Sequence, residues 1–319
     1  MKSNDLNLIC EIGGNHHGSL EEALRLIDAA AESGATHVKF QCFTPEQMVG
    51  DPAYVLDDGP WKGRKLLDLY TETHTPREWF PSLFDYARLR DLVPFASVFH
   101  QDDVDFLEGL DCELYKISSF EMVDLELIEY AAGKQVLIST GGATDEELEA
   151  AWQAGSDDVV MMACTSAYSA DPADANLGEW IYGWDWGLSD HTLGCGVAAA
   201  AVALGATWIE KHFTLDRKGP DGGFSMLPDE FRQMAEACQQ ARAAIGCGYY
   251  AEKSSLALRR SLWWAADLEP GDIITREHIK SARPADGLPC SEINNVLGKI
   301  IIAPVHAGNP VSQISRHYE

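Results

Sequence analysis

The chain has 319 residues, 46% of them hydrophobic and 23% charged, which is enough to bury a large core and too apolar for a disordered protein. Its 24 lysines and arginines face 50 acidic residues, a formal net charge of −26, which sets aside nucleic acid and anionic membrane surfaces as partners. An anionic substrate would need a locally positive pocket inside this acidic chain.

The first seven residues lack the apolar core of a signal peptide, and no apolar run reaches the length of a membrane span. None of the eight cysteines pairs as CxxC, so a cytoplasmic protein with reduced thiols is expected. From residue 6 onward, short β-rich runs alternate with helical stretches. The runs cover residues 6–12, 37–43, 93–99, 114–119, 135–140, 159–165, 186–190 and 207–213. After the first run, a helix over 20–33 opens on the capping box Ser19-x-x-Glu22 and stops at Gly34. After the second, residues 45–75 form a long insertion with Trp61 and several prolines, the kind of loop that covers a site. A helix over 145–154 opens with Thr144-x-x-Glu147 and stops at Gly155, whereas residues 170–186 leave room for a short helix at most. A helical pattern over 196–205 separates the last two runs. The helix over 228–245 then starts acidic and ends at Gly246.

Eight such repeats in about 240 residues fit a (β/α)8 TIM barrel over residues 1–246. An open doubly wound sheet would call for GxGxxG after the first run, and Gly13-Gly-Asn-His16 lacks that spacing. Residues 247–260 read as a linker. Residues 261–319 read as a small β-rich domain, with turns at Glu269-Pro-Gly-Asp272 and Ala307-Gly-Asn-Pro310 and a brief helix over 276–279.

In TIM barrels the chemistry sits at the C-terminal ends of the strands. Those ends carry Glu11, Lys39 and Gln41, Ser97, Lys116 with Ser119 and Glu121, Ser139 and Thr140, Ser166 and Tyr168, Ser189 with His191, and Glu210 with His212. Taken singly, a strand-end serine commonly serves as a helix cap and a strand-end lysine can extend to solvent. Eight polar strand ends together are harder to explain that way. Lys39, Lys116 and the serine hydroxyls would cradle a phosphate or carboxylate, and the backbone N–H groups of Ser139-Thr-Gly-Gly142 would add to that anion site. His191 and His212 end consecutive strands, so their imidazoles can converge on one divalent ion, with Glu11 near it to position water or move protons.

Residues 8–283 resemble the nonulosonate synthases, the family of N-acetylneuraminate (sialic acid) synthase. The matching stretches run in order along the barrel. They are Cys10-Glu-Ile-Gly-Gly-Asn-His16, Val38-Lys-Phe-Gln41, Tyr115-Lys-Ile-Ser-Ser-Phe-Glu121, Ile138-Ser-Thr-Gly141, Cys164-Thr-Ser-Ala-Tyr168, Leu188-Ser-Asp-His-Thr-Leu-Gly194, Ile209-Glu-Lys-His-Phe-Thr214 and Gly219-Pro-Asp221. Residues 261–311, with Arg283-Pro284, resemble the family's antifreeze-like (SAF) domain. The segment from Gly59-Pro-Trp-Lys-Gly-Arg64 to His74-Thr-Pro76, together with Phe224-Ser-Met-Leu-Pro-Asp-Glu-Phe231, most resembles the pseudaminic acid branch.

The resemblance implies a transferase that condenses phosphoenolpyruvate with an acetamido-hexose. Its acceptor would be a 2,4-diacetamido-2,4,6-trideoxy-hexose. An N-acetylneuraminate-type or legionaminate-type hexosamine is the alternative, and a non-catalytic sugar-binding homologue a further one. It also implies His191 and His212 as ligands of a divalent metal (Mn²⁺, with Mg²⁺ or Co²⁺ as alternatives) and Glu11 and Glu121 as essential carboxylates. Lys39, Ser97, Lys116, Ser119, Ser139 and Ser189 would contact phosphoenolpyruvate, and Gln41, Ser166, Tyr168 and Asp221 would lie around the substrates. A homodimer is implied, each C-terminal domain reaching over the other protomer's barrel and lending Arg283. The chain departs from the family at Ser169-Ala-Asp-Pro172, where Pro-x-Pro is usual, and at Val98, where proline is usual.

Overall fold

A computed structural model of the protein describes residues 6–155, 158–180, 185–245, 254–312 and 318. Eight parallel strands close into a barrel in sequence order: β1 (Asn7–Glu11), β2 (His37–Cys42), β3 (Val93–Val98), β4 (Leu114–Ile117), β5 (Gln135–Ser139), β6 (Val159–Cys164), β7 (Trp186–Ser189) and β8 (Trp208–His212). The runs rich in Val, Ile, Leu and Phe become strands buried almost throughout, as a sheet sandwiched between barrel interior and helix layer requires. Cys10 and Cys42 sit inside β1 and β2 as small buried groups, and the seven described cysteines are all free thiols.

Helices cover the outside: α1 (Leu20–Glu32), α3 (Phe80–Leu89), α4 (Gln101–Glu108), α5 (Leu125–Ala131), α6 (Asp145–Ala154), α7 (Gly196–Ala203) and α8 (Pro228–Ile245), while α2 (Leu66–Thr73) belongs to the insertion after β2. The caps read from sequence are present: Ser19 accepts from the Glu22 N–H, and Thr144 with Glu147 closes a full capping box. The insertion after β2 is less open than its prolines imply. It contains α2, which buries Leu69 and Thr73, preceded by a hairpin in which Val55 bridges Lys65. Residues 170–180 hold two 3-10 turns, Pro172–Ala175 and Leu177–Trp180, in place of a crossover helix.

Register sets the chemistry. Glu11 of β1 pairs with Lys39 of β2 on one side and with His212 of β8 on the other, while Ser189 pairs with Glu210 and Ser97 with Lys116. Polar side chains of neighbouring strands therefore meet at one level of the ring, its C-terminal end. Among the described residues, no helix is long and apolar enough to cross a membrane.

The chain divides into two compact units, residues 1–246 and 247–319. The second has its own core of Leu262, Trp264, Leu268, Ile274, Ile279, Val296, Ile301, Val305, Val311 and Tyr318. Its antiparallel pair is β9 (Ser261–Trp264) and β10 (Ile279–Ala282), and its helix is α9 (Ile293–Val296). The brief helix expected over 276–279 is a 3-10 turn, Arg276–His278, that leads directly into β10. The segment 254–260, read as linker, carries the 3-10 turn Ser254–Leu258.

Candidate active site

The C-terminal end of the barrel opens into a cavity of about 620 Å³. Its floor is a buried ion cluster. Lys39 Nζ lies 2.8 Å from Glu11 Oε2 and 3.7 Å from Glu210 Oε1, and it donates to Ser97 Oγ at 2.9 Å. Gln41 donates to Glu11 Oε1 at 2.7 Å, and Ser189 donates to Glu210 Oε1 at 3.1 Å. Burial alone would strip the proton from Lys39, but Glu11 and Glu210 reverse that and hold its ammonium above the usual lysine range. Burial lifts the Glu11 carboxyl against the pull of Lys39, and the neighbouring Glu210 charge adds to the lift. On Glu210 the upward push of burial is overcome by Lys39 and Lys116, so this carboxyl keeps its charge. Glu11 is accordingly the floor carboxyl closest to accepting a proton.

Lys116 is held differently. Its Nζ donates to Ser139 Oγ at 2.5 Å and to the Ile117 carbonyl at 3.1 Å, and it forms no ion pair among the described residues. Burial pushes it below the usual lysine range; Glu210 opposes this and the Lys39 charge adds to it. An incoming anion would find Lys116 less committed than Lys39. Ser119 and Ser166 flank it across Gly141, where a Cβ would fall 2.0 Å from Ser166 Oγ and 3.0 Å from Ser119 Oγ. Only glycine fits that gap.

The two histidines face each other with ring centroids 5.6 Å apart. His191 Nδ1 lies 2.9 Å from the Thr165 carbonyl, which can only accept, so Nδ1 carries the proton and Nε2 keeps its lone pair. His212 is partly buried, and its Nδ1, shielded from solvent, has no hydrogen-bond partner among the described residues. Burial and the positive neighbours His191, Lys39, Lys211 and Lys116 hold the His212 imidazole neutral. On His191, burial opposes the charged form, but the Cys164 thiol and the Thr165 carbonyl outweigh it and raise the affinity for a proton. Among the described residues no cluster of three or more His, Cys, Asp and Glu forms a closed cation site. Two imidazoles with available lone pairs, one of them orphaned, fit an open divalent site whose other positions go to water or substrate oxygen.

A second buried ion pair lies behind them. Asp190 and Lys211 follow the strands outward, with Lys211 Nζ 3.0 Å from Asp190 Oδ2 and both side chains 1% exposed. Lys211 also donates to the Thr192 carbonyl, while Asp190 Oδ1 accepts from Thr192 N at 2.9 Å and Thr192 Oγ1 at 2.7 Å. The pair thus ties the two histidine-bearing strand ends together.

Above the floor the cavity turns aromatic. Tyr168 packs 4.3 Å from His191 and 4.8 Å from Phe224, and Trp61 lies 5.5 Å from Tyr168, centroid to centroid. The Trp61 indole N–H donates to the Pro220 carbonyl at 3.1 Å. Asp221 Oδ2 accepts from Gly14 N at 3.1 Å, and a Cβ on Gly13 (φ +52) would fall 2.6 Å from that oxygen. Gly13 lets β1 turn beneath Asp221 and beside His212. Glu121, at the rim, is raised to about 7 by burial, with its own backbone N–H and the Lys116 charge pulling the other way.

Glu11, Lys39, Gln41, Lys116, Ser119, Glu121, Ser139, Ser166, Tyr168, Ser189, His191, His212 and Asp221 all line this one cavity. Ser97 does not: fully buried, it lies beneath Lys39 and accepts a hydrogen bond from it, which is support for the lysine, not a wall of the cavity. The N–H groups of Thr140 and Gly141 are likewise not free for an anion, because they donate to the Met162 carbonyl and to Ser119 Oγ. Arg283 belongs to the second unit. Sequence reasoning placed Glu210 with His212 at a strand end but gave it no role, although the two share a strand face two residues apart. It also missed Tyr70 and Cys164 as cavity walls, and placed Trp61 only in an insertion expected to cover the site. Burial would raise the Cys164 thiol, but His191, Ser119 and Lys116 draw it down to about 7.

Residues 26–250 match the NeuB family and residues 259–313 the SAF domain. Pseudaminic acid synthase of Helicobacter pylori is 37% identical, the match covering 96% of each chain. Pseudaminic acid synthase of Campylobacter jejuni is 36% identical over 96% of this chain and 95% of that one. N,N'-diacetyllegionaminic acid synthase of Legionella pneumophila is 32% identical over 94% and 92%. In structure, N-acetylneuraminic acid (sialic acid) synthetase of Leptospira borgpetersenii matches with a TM-score of 0.71 and 29% identity, covering 79% of this chain and 88% of that one.

Proposed function

The chain belongs to the NeuB family, and on that premise we propose that it condenses phosphoenolpyruvate with a 2,4-diacetamido-2,4,6-trideoxy-hexose to give a nonulosonic acid and phosphate. The observation that carries this reading is the convergence of Lys39, Lys116 and the His191–His212 pair at one end of the barrel, beneath an aromatic wall. Carbon 3 of phosphoenolpyruvate forms a bond to the aldehyde carbon of the ring-opened sugar, water adds at carbon 2, and the carbon 2–oxygen bond breaks to release phosphate.

Each group has a part. Lys116 and Lys39, with Ser119, Ser139 and Ser189, hold the carboxylate and phosphate of phosphoenolpyruvate. Glu11, tied between Lys39 and Gln41, takes up or gives a proton as water adds. Glu121, at the rim, is the second carboxylate, while Gln41, Ser166, Tyr168 and Asp221 position the sugar. His191 through Nε2 and His212 through Nδ1 would hold a divalent ion, proposed as Mn²⁺ with Mg²⁺ or Co²⁺ as alternatives, which when bound supplies a Lewis acid for the aldehyde oxygen. The active form is a homodimer whose C-terminal domains lend Arg283 to the opposite barrel.

A second reading keeps phosphoenolpyruvate and changes the acceptor, in line with the 32% identity to legionaminic acid synthase. Phosphate release from phosphoenolpyruvate, measured against a panel of candidate sugars with Mn²⁺ present, separates the two. Turnover confined to the 6-deoxy diacetamido acceptor of pseudaminate configuration is expected. Equal or better turnover of a legionaminate precursor or of N-acetylmannosamine would overturn the choice of acceptor.

A further inference from the structure

The insertion after β2 holds one residue that the chemistry above leaves without a task. Residues 54–66 fold back as a closed hairpin: Leu56 N donates to the Arg64 carbonyl at 2.9 Å, Gly63 N to the Leu56 carbonyl at 2.8 Å, and Leu66 N to the Tyr54 carbonyl at 3.1 Å. At its tip Trp61 reaches over the cavity. The indole is pinned to Pro220 beyond β8, packs on Tyr168 beyond β6, and meets Phe224 edge-on at 6.0 Å. Strands two and six stand on opposite sides of an eight-strand ring, so the Trp61–Tyr168 contact spans the mouth.

We propose that Trp61 is a specificity-determining residue: it forms the apolar surface that selects an acceptor sugar with methyl and acetamido groups over a hydroxyl-rich hexosamine. The proposal rests on the acceptor-sugar reading given above. The floor supplies the charged and hydroxyl groups, whereas the upper wall contributed by the hairpin and α2 is Trp61 with Leu56, Leu66 and Leu69. The polar side chains on that side are Asp58, Tyr70 and Thr73; Asp58 accepts from Gly59 N at 2.8 Å and Thr73 donates to the Leu69 carbonyl at 3.0 Å. Trp61 has no second donor to offer, because its N–H is spent on Pro220. A sugar lying with its aldehyde toward the histidines presents its far end to this wall. A methyl there gains apolar contact, while a hydroxymethyl set against Trp61 and the leucines gives up hydrogen bonds to water that those side chains do not replace. A single such difference in an apolar pocket is worth roughly 10- to 200-fold in kcat/KM.

The test measures kcat and KM for the full-length protein with Mn²⁺, using 2,4-diacetamido-2,4,6-trideoxy-hexose of pseudaminate configuration and N-acetylmannosamine, in wild type, Trp61→Ala and Trp61→Phe. Trp61→Ala should narrow the preference for the deoxy sugar by roughly tenfold or more, through its KM, while KM for phosphoenolpyruvate stays within about twofold. Trp61→Phe, still aromatic, should keep most of the preference. Equal losses with both sugars would show that Trp61 merely closes the roof, and an unchanged preference in Trp61→Ala would show that it selects nothing; either overturns the proposal. A wild-type protein that releases no phosphate with either sugar would instead overturn the acceptor reading beneath it, and the proposal with it.

Discussion

Replacing Lys211 by Met tests whether the buried Asp190–Lys211 pair acts as the tie between β7 and β8. The substitution preserves the stem and removes the ammonium. Asp190 would keep its two bonds from Thr192 on Oδ1, but Oδ2, now 3.0 Å from a cation, would face a void of charge at 1% exposure, and the Thr192 carbonyl would lose its donor. Stranding one partner of such a pair costs about 3–5 kcal/mol. For a unit of this size each kcal/mol shifts the melting temperature by about 2–4 °C, so the barrel transition should fall by roughly 6–20 °C. The double variant Asp190→Asn/Lys211→Met leaves no stranded charge and keeps an oxygen for Thr192, so it should recover most of that loss, giving a coupling of about 2 kcal/mol or more in the cycle. Calorimetry with parallel urea titrations measures all four proteins. A single variant that loses less than about 1 kcal/mol, or two single losses that simply add in the double, would refute the reasoning.

His191→Ala and His212→Ala should each lower phosphate release by roughly 10³-fold or more, with loss of bound Mn²⁺ measured on the same samples; a fully active double variant would remove both from the site. Glu121 holds its proton up to about 7 against a usual 4.5, so its contribution to stability is complete below the lower value and is lost as pH rises through the upper one. Glu121→Gln should therefore flatten melting temperature against pH between 5 and 8, with a gain on the order of 2 kcal/mol at pH 8. If Arg283 is lent between protomers, mixing the inactive His191→Ala and Arg283→Ala proteins should restore roughly a quarter of wild-type activity by subunit exchange in a two-fold dimer. If it acts within its own chain, the mixture stays inactive.

The barrel was legible because each strand is a short, nearly continuous apolar run bounded by glycines and capping boxes, as at Ser19-x-x-Glu22 and Thr144-x-x-Glu147. The floor was legible as a collection of strand-end polar groups. Its wiring was not, since it depends on register: Lys39 meets Glu11 because Glu11 pairs with Lys39 across the ladder, and this is also why Lys39 is largely neutralised and Lys116 is not. Ser97 looked like a cavity wall because it sits near a strand end, yet its depth places it beneath a lysine. The N–H groups of Ser139-Thr-Gly-Gly142 looked available because a sequence does not reveal that Ser119 and the Met162 carbonyl reach them first. The insertion carrying Trp61 was read as covering a site, but Trp61's place in the wall was not, because a loop residue's direction is set by long-range contacts, here with Pro220 and Tyr168.

The layering of the cavity also bears on kinetics. Lys39, Lys116, Ser139 and Ser189 belong to the strands themselves, whereas Trp61, Tyr168 and Phe224 sit on the loops above, so on the proposed function the two substrates would occupy different depths of one well. Whatever binds at the upper level blocks the path to the lower. On that reading, loading would follow a compulsory order, phosphoenolpyruvate before sugar. Saturating sugar should therefore trap phosphoenolpyruvate that is already bound and slow its arrival in the empty enzyme, which appears as substrate inhibition by the acceptor at low phosphoenolpyruvate.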